Sequence, residues 1–335
     1  MTTSVKKPLS MQLTNMLLSV WNLIKRIPPV YPVFVVIMIT VGQLNPNFAT
    51  SNGILLFLRR SSPLAILAMG QVFVLATGGF DLSQGSLVTL TIIGSSLIIY
   101  NNESAGYVAI LIMLGIGILV GLVNGFVVSF LKVPSLIATL GMLLLIKGGG
   151  LYWTGGAPKG YLTENWRFFG RGYIENIPVI GRFPSAVIIL VIVGVIMSIL
   201  FYKTNLGKQV LAIGDNARTS QLSGIRVKLV RMVAFLISAI LAVIAGVLIG
   251  GYGGTSIVAG DGLEMQSVSA AVIGGALLLG GRGSLIGAVF GALTLEAIFS
   301  LLNLLGLPKP FRDAVQGMII IGAVAYASMT SRRRD

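Results

Sequence analysis

The stretch GYVAILIMLGIGILVGLVNGFVVSFL, residues 106–131, contains no charged side chain. About 20 consecutive apolar residues are enough to cross the roughly 30 Å hydrocarbon core of a bilayer as an α-helix. Backbone in lipid must satisfy its own hydrogen bonds, and this stretch lacks the alternation of polar and apolar residues that a barrel strand would show. Similar stretches recur along the chain, so the sequence predicts an all-α integral membrane protein.

The composition agrees with this prediction. The chain is 55% hydrophobic and 10% charged, whereas a typical soluble domain has roughly 25% charged residues. It contains no cysteine and no histidine, which excludes disulfides, Cys/His metal sites and any histidine-dependent catalytic triad. We assign no catalytic residue and no metal site to this chain.

Ten stretches are long and apolar enough to be membrane spans. They lie near residues 30–45, 56–78, 82–100, 106–131, 134–153, 184–202, 229–250, 264–280, 284–304 and 311–327. The predicted divisions of the chain are a cytoplasmic tail (1–29), a first transmembrane half (30–202) that contains a polar outer loop (154–183), a cytoplasmic segment (203–228), a second transmembrane half (229–327) and a basic cytoplasmic tail (328–335).

The formal charge of +14 is explained by membrane topology, because the cytoplasmic loops of membrane proteins collect lysine and arginine. With the N-terminus inside, fifteen of the 24 basic residues fall on inner segments. We therefore predict a multi-pass protein with both termini in the cytoplasm. Membrane lipid is an expected partner, and nucleic acid is not.

An internal repeat relates the two halves. Residues 81–97 align without a gap on residues 261–277, with Asp81 opposite Asp261. Under the predicted topology the third span runs outward and the eighth runs inward, so the two copies would be inverted about the membrane plane. Inverted repeats are common in transporters, whose similar halves open a central site to either side in turn. The alternative is that small-residue spacing alone makes two membrane helices look similar.

Glycines recur at four-residue spacing in two of the predicted spans. The two series are Gly117, Gly121 and Gly125, and Gly283, Gly287 and Gly291. Small residues at this spacing let helices approach closely in lipid. We predict close helix packing at these glycines, and a pore lining is the alternative.

The stretch 77–86 interrupts an apolar region with a carboxylate, hydroxyls and glycines. Backbone that leaves the helix at membrane depth must be buried in protein or face a watery cavity. Asp81 could cap the third span by accepting hydrogen bonds from first-turn amides, or it could line or gate a translocation path. In the second copy, Glu264 and Gln266 could bind a hydroxylated solute or merely face the outer water. The predicted path or gate residues are Gly78, Gly79, Asp81, Ser83, Asn124, Glu264 and Gln266.

The segment 203–228 is basic and amphipathic between two long spans. Asp215 or Asn216 could cap a short helix from Ala217 to Leu222, which Gly224 would close. Such a helix at the inner surface is more than a solvated linker needs. The alternative is a basic loop held against anionic lipid.

Three motifs together resemble one family. They are Gly78-Gly79-Phe80-Asp81-Leu82-Ser83-x-Gly85-Ser86, then Ala212-Ile213-Gly214-x-Asn216 with Leu222-Ser223-Gly224-Ile225, then Val272-Ile273-Gly274-Gly275 with Gly280-Gly281-Arg282-Gly283-Ser284. The chain is similar, from about 48 to 326, to the ribose/galactose/arabinose/xylose-type permeases of ATP-binding-cassette importers. This resemblance implies about ten helices in two inverted halves of the type II kind, in a bacterial inner membrane.

The resemblance also implies partners. It implies a second permease subunit, like or unlike, two cytoplasmic ATPase domains that hold ATP and Mg²⁺, and a periplasmic or lipid-anchored sugar-binding protein. The segment 203–228 would then contain the helix that couples the permease to the ATPase. The implied coupling residues are Gly214, Asp215, Asn216, Ala217, Arg218, Leu222, Ser223 and Gly224.

Several residues depart from the family pattern. Thr219 and Ser220 stand near two usual alanines, so the ATPase partner could be a dedicated one. Gln266, Ser267 and Ser269 replace an acid and alanines that often follow the equivalent of Glu264, which leaves the identity of the sugar open. Phe80 likewise replaces the usual aliphatic residue.

The expected function is inward movement of a monosaccharide or similar hydroxylated solute by alternating access, driven by separate ATPase subunits. The Gly-Lys pair Gly207-Lys208 lacks the other residues of a phosphate-binding loop, so we expect no cofactor on this chain and no ATP hydrolysis by it. One rival is an ion-coupled secondary transporter, for which Asp81 and Glu296 are the plausible intramembrane carboxylates. Another is a membrane enzyme with Asp81 and Glu264 as an acid/base pair, which the predicted topology places on opposite faces.

Overall fold

The computed structural model describes residues 28–177, 181–308, 310–311, 313–318 and 321–322. Its helices are α1 (Val30–Leu44), α2 (Ser51–Ala76), α3 (Gln84–Asn101), α4 (Gly106–Ser129), α5 (Ser135–Thr154), α6 (Glu164–Arg171), α7 (Ser185–Ser198), α8 (Asn205–Asp215), α9 (Ala217–Leu222), α10 (Val227–Gly253), α11 (Leu263–Ile273) and α12 (Leu285–Leu304). Two 3₁₀ turns, Pro46–Ala49 and Glu103–Ala105, precede α2 and α4, and a π-helical turn, Ile199–Lys203, follows α7.

Six of the described helices are long and apolar enough to cross a membrane, namely α2, α4, α5, α7 with its π turn, α10 and α12. Three shorter apolar helices, α1, α3 and α11, coincide with other predicted spans. Residues 313–318 of the tenth predicted span are helical, and the rest of that span is described only in part. The predicted C-terminal tail, 328–335, lies outside the described residues, and so does the predicted N-terminal tail, 1–29, except for residues 28 and 29. The all-α membrane fold is confirmed.

The predicted eighth span, 264–280, is wrong at its inner end. The helix α11 stops at Ile273, and residues 274–284 form an irregular loop before α12. Gly275, Gly280 and Gly281 adopt φ angles of 94°, 91° and 78° in this loop. These angles favour glycine and cannot continue a right-handed helix. Hydropathy alone missed the break because the residues between these glycines are apolar.

The predicted outer loop, 154–183, contains structure of its own. The helix α6 lies in it, and β1 (Tyr173–Ile177) pairs with β2 (Gly181–Pro184) as an antiparallel hairpin. Trp166 of α6 is fully buried, and Arg167 Nε donates to the carbonyl of Gly251 at the end of α10 over 3.1 Å. The loop is therefore docked on the helix bundle.

The two most buried spans, α2 and α10, form the centre of the bundle. The helix α4 packs along α10 through its glycines, because a Cβ on Gly121 would lie 2.7 Å from Leu236 Cα and one on Gly125 would lie 2.7 Å from Met232 Cα. The glycines of α4 carry no side chain, so the two backbones approach closely. The predicted packing role of this glycine series is confirmed.

The two repeat helices, α3 and α11, begin side by side and run in opposite directions. Near their starts, the amide of Gly260 donates to Thr89 Oγ1 over 3.0 Å. Further on, Ser96 of α3 bonds the carbonyl of Lys159 in the outer loop over 2.9 Å. Beyond the end of α11, the amide of Gly281 instead donates to the carbonyl of Ala76 over 3.1 Å, at the other end of the bundle. The two copies are therefore inverted.

Candidate functional site

Residues 77–83, here called the central linker, connect α2 to α3 through non-helical backbone. Gly78 adopts a φ of 79°, which ends α2. Side chains of α5 satisfy the released amides, because Ser135 Oγ accepts from the amide of Phe80 over 3.0 Å and Thr139 Oγ1 accepts from that of Leu82 over 3.1 Å. The linker is thus irregular backbone that is largely buried in protein, with Gly78 exposed. The bilayer allows such backbone only inside protein or beside a watery cavity.

Asp81, in the central linker, is only 1% exposed. Its Oδ1 accepts from the amide and the hydroxyl of Ser83 over 3.0 and 2.6 Å, and its Oδ2 accepts from Ser238 Oγ of α10 over 2.6 Å. The hypothesis that Asp81 caps α3 is wrong, since the carboxylate bonds the residue just before the helix and a distant hydroxyl instead of first-turn amides. Its role as a gate stays a prediction.

The Asp81 contacts belong to a buried polar network that joins four helices. Asn124 Nδ2 of α4 donates to Ser83 Oγ over 2.9 Å. Gln84 Nε2 of α3 donates to Ser238 Oγ over 2.9 Å, and Ser267 Oγ of α11 donates to Gln84 Oε1 over 2.6 Å. The network therefore ties the first half of the chain to the second.

Three members of this network were not predicted from the sequence, namely Gln84, Ser238 and Ser267. Gln84 lies within the polar stretch 77–86 that the sequence singled out, so its position was a usable signal. Ser238 lies within a long apolar helix, where a lone serine more often bonds its own backbone. Only the fold shows that it faces Asp81.

An exposed ion pair joins α5 to the start of α11. Lys147 Nζ lies 3.0 and 3.2 Å from the two carboxylate oxygens of Asp261, and each side chain is 42% exposed. Lys147 stands seven residues before the outer end of α5, about 10 Å deep at about 1.5 Å per residue. Exposed charges at such depth face water or protein, since lipid would penalise them. This face of α5 therefore borders water or another protein surface.

Glu264 lies where the starts of α3 and α11 meet, since a Cβ on Gly85 would collide with its carboxylate. Asp81 is only four residues before Gly85, so the two carboxylates do not belong to opposite faces, and that expectation is wrong. This proximity does not support the membrane-enzyme hypothesis, because both carboxylate oxygens of Asp81 already accept hydrogen bonds inside the buried network.

Gln266 lies apart from the other predicted path residues, in a cavity of about 560 Å³ that we call the outer cavity after the predicted topology. Arg60, Glu296, Phe299 and Asn303 also line this cavity, which lies between the turn after α1 and the helices α2, α11 and α12. It combines amides, a carboxylate, a guanidinium and an aromatic ring. These groups suit a hydroxylated solute.

Gly78 and Gly79 line a second cavity, of about 920 Å³, together with Arg218 and Gln221 of α9. This inner cavity thus joins the central linker to the predicted coupling helix. Of the two caps considered for α9, Asn216 is the observed one, because its Oδ1 accepts from the amide of Thr219 over 2.9 Å. Gly224, with a φ of 84°, ends the turn as expected.

The coupling residues also reach the bundle through backbone contacts. A Cβ on Gly214 would collide with the carbonyl of Ala76 and the amide of Gly281, and a Cβ on Gly280 would lie 2.9 Å from Gly214 Cα. The end of α8, the end of α2 and the 274–284 loop therefore meet with no side chain between them. At the opposite surface, Leu222 of α9 is 83% exposed, which leaves an apolar side chain free to meet a partner.

Apolar spans in inverted halves, a buried polar network at their centre and cavities at both ends define a polytopic membrane permease. The chain belongs to the family described as branched-chain amino acid transport system / permease component, and the match covers residues 53–324. No solved structure matches the chain.

Curated relatives cover most of the chain. It is similar to the ribose import permease protein RbsC of Escherichia coli (strain K12), 33% identical over 299 residues, which are 86% of this chain and 89% of that protein. RbsC of Bacillus subtilis (strain 168) is 33% identical over 309 residues, 90% and 92% of the two chains. The autoinducer 2 import system permease protein LsrC of Enterobacter sp. (strain 638) is 34% identical over 282 residues, 84% and 80%. All three relatives are named as import permeases.

Proposed function

We propose that this chain is the permease subunit of an ATP-binding-cassette importer and moves a monosaccharide or similar hydroxylated solute inward by alternating access. ATP and Mg²⁺ would bind two separate cytoplasmic ATPase domains. A second permease subunit and a periplasmic or lipid-anchored sugar-binding protein would complete the complex in a bacterial inner membrane. Relatives named for ribose and for autoinducer 2 support a small hydroxylated solute.

The observation that carries this proposal is the backbone contact between the end of α8, which leads directly into α9, and the helix bundle. The helix α9 presents Leu222 outward, and Gly214 of α8 touches the end of α2 and the 274–284 loop that follows α11. A partner that pulls on α9 would therefore displace the end of α2 and this loop, which belong to different halves. Alternating access needs such a relative movement of the halves.

The solute route is supported by groups that lipid would not tolerate. The Lys147–Asp261 pair is exposed although Lys147 lies within the candidate span α5, and the outer cavity holds Gln266 and Glu296. Hydroxyl groups of a neutral sugar can donate to carboxylates and accept from ammonium and amide groups. We therefore place the route along α5, α11 and the outer cavity.

The coupling helix provides the decisive test. Arg218→Ala combined with Leu222→Ala should abolish solute uptake into proteoliposomes that contain the complete complex, while the ATPase subunits still hydrolyse ATP. The matched control is Leu131→Ala, since Leu131 is also exposed on the inner side, at 60%, but lies outside α8 and α9. Normal uptake by the double variant, with a normal thermal unfolding midpoint, would refute the coupling role.

An ion-coupled secondary transporter remains the second candidate because Glu296 lines the outer cavity. Its uptake would continue without the ATPase subunits and would stop when the ion gradient is collapsed. Uptake by the importer would instead stop without the ATPase subunits and continue when the ion gradient is collapsed. Measuring both conditions in the same proteoliposomes therefore separates the two functions.

A further inference from the structure

The inner cavity has a strongly basic wall. Its volume is about 920 Å³, and it lies between α9, the start of α10, the turn between α4 and α5, and the central linker. Five cationic side chains line it, and no aspartate or glutamate does. The five are Lys132, Arg218, Arg226, Lys228 and Arg231.

Within the described residues, none of these five cations forms an ion pair. Arg231 is only partly exposed, and its Nη2 donates a 3.5 Å hydrogen bond to the carbonyl of Thr77. Lys228 lies 5.2 Å from the ring centroid of Phe130, which holds its ammonium group at the cavity. Arg231 is the partly buried cation of the five, and the other four are exposed. Desolvation penalises a lone charge at Arg231, and the four exposed cations add positive potential to the same cavity. A counter-ion in the cavity would therefore be stabilised.

An independent observation also indicates a ligand. Ser129 lines the cavity and is 6% exposed. Its buried hydroxyl has no hydrogen-bond partner within the described part of the chain. A buried hydroxyl without a partner costs about 1–3 kcal/mol. The hydroxyl is covered in this structure, so a ligand with acceptor oxygens would provide that partner once the Ser129 side chain turns toward the cavity.

We propose that the inner cavity binds a phosphate-bearing anion, supplied either by a lipid headgroup or by a free phosphorylated solute. Three of the cations are arginines, whose planar donors match phosphate oxygens. The bound phosphate would bridge Arg218 of the coupling helix, Lys132 of the α4–α5 turn and Arg231 of α10. It would thereby hold α9 against the bundle. This site goes beyond the proposed transport function and does not depend on it.

The test measures binding without transport. Purified protein in nanodiscs of neutral phosphatidylcholine is titrated with inorganic phosphate or a hexose phosphate, and a second series raises the fraction of anionic phosphatidylglycerol in the disc. The readouts are the thermal unfolding midpoint and the phospholipid retained in native mass spectra. Stabilisation by the free phosphates identifies a soluble ligand, and stabilisation by phosphatidylglycerol alone identifies a lipid headgroup. Either result supports the site.

Two charge variants and one control test whether the cavity is responsible for anion binding. Arg231→Gln and Lys132→Gln should raise the half-saturating concentration about tenfold, because each removes a charge-assisted contact. Lys208→Gln is the matched control, since it removes one exposed charge of α8 that lies outside the cavity. The half-saturating anion concentration of Lys208→Gln should equal that of the unmodified protein.

Ser129→Ala keeps the proposal falsifiable if the charge variants fold poorly. It should be at least as stable as the unmodified protein without anion, because it removes a buried unpartnered hydroxyl, and it should gain less stability when anion is added. The proposal is overturned if no anion stabilises the protein, if Lys208→Gln weakens binding as much as Arg231→Gln, or if Ser129→Ala binds normally. Those failures would leave the importer function untouched.

Discussion

Replacing Gly121 with alanine is expected to force α4 away from α10. The added Cβ would lie 2.7 Å from Leu236 Cα, 3.0 Å from Ala239 Cβ and 3.0 Å from the carbonyl oxygen of Phe235. Carbon atoms in ordinary contact are about 3.5–4.0 Å apart. Two of these three atoms are backbone, so no flexible side chain can move aside. The helices themselves must separate, by about 1 Å on these distances.

The size of the effect follows from two opposing contributions. Overpacking a tight contact costs about 1–3 kcal/mol, and the higher helix preference of alanine over glycine returns about 1 kcal/mol. Gly115 of the same helix provides the control, because nothing lies within 4 Å of a Cβ placed there. Gly115→Ala keeps the helix-preference gain without the collision. The free energies of unfolding of the two variants should therefore differ by about 1–3 kcal/mol.

Titration with denaturing detergent, followed by tryptophan fluorescence in one fixed lipid mixture, measures this difference. Gly121→Ala should unfold at lower detergent than the unmodified protein, and Gly115→Ala at equal or higher detergent. Equal unfolding free energies for the two variants would refute the conclusion that backbone approach at Gly121 holds α4 to α10.

Two further predictions concern ion pairs. Lys147→Asp and Asp261→Lys should each lower solute uptake several-fold, because each variant places like charges together. The double variant should restore at least half of the uptake of the unmodified protein, and uptake no higher than that of the worse single variant would contradict the pairing. On the outer helix α6, Arg171 bonds Glu164 and lowers the pKa of that carboxyl below its ordinary value of 4.5. The ion pair therefore stabilises above that value and is lost as the pH falls through the lowered pKa. Carboxyl NMR of Glu164 should show a higher midpoint in Arg171→Gln, and an unchanged midpoint would contradict the bond.

The spans were predictable because hydrocarbon imposes a simple rule on composition. A helix such as α4 needs an apolar surface wherever it stands in the bundle, so residues 106–129 could be recognised without knowing their neighbours. The glycine series on that helix was predictable for a similar reason, since four-residue spacing places Gly117, Gly121 and Gly125 on one face. Its partner, α10, could not be named from sequence.

The errors occurred where the backbone or a distant residue decides the structure. The end of α11 depends on positive φ angles at Gly275 and Gly280, which hydropathy does not register. The capping hypothesis for Asp81 considered only neighbours in the chain, whereas Ser238, which binds its Oδ2, is 157 residues away. Asn216 was identified as a possible cap because that hydrogen bond spans only three residues.

The central network and the inner glycine contacts suggest how movement could pass along this permease. Asp81, Gln84 and Ser238 link the halves at the middle of the bundle through bonds that are fully buried. Such a network resists relative displacement, because separating its members would leave buried polar atoms without partners. The inner contacts of Gly214 and Gly280 are direct backbone contacts, and the amide of Gly281 donates to the carbonyl of Ala76 beside them, so a displacement of α8 passes to the end of α2 and to the 274–284 loop. In the importer that we propose, a pull on α9 should therefore move the inner end of α2 and the 274–284 loop about the network and leave the centre intact.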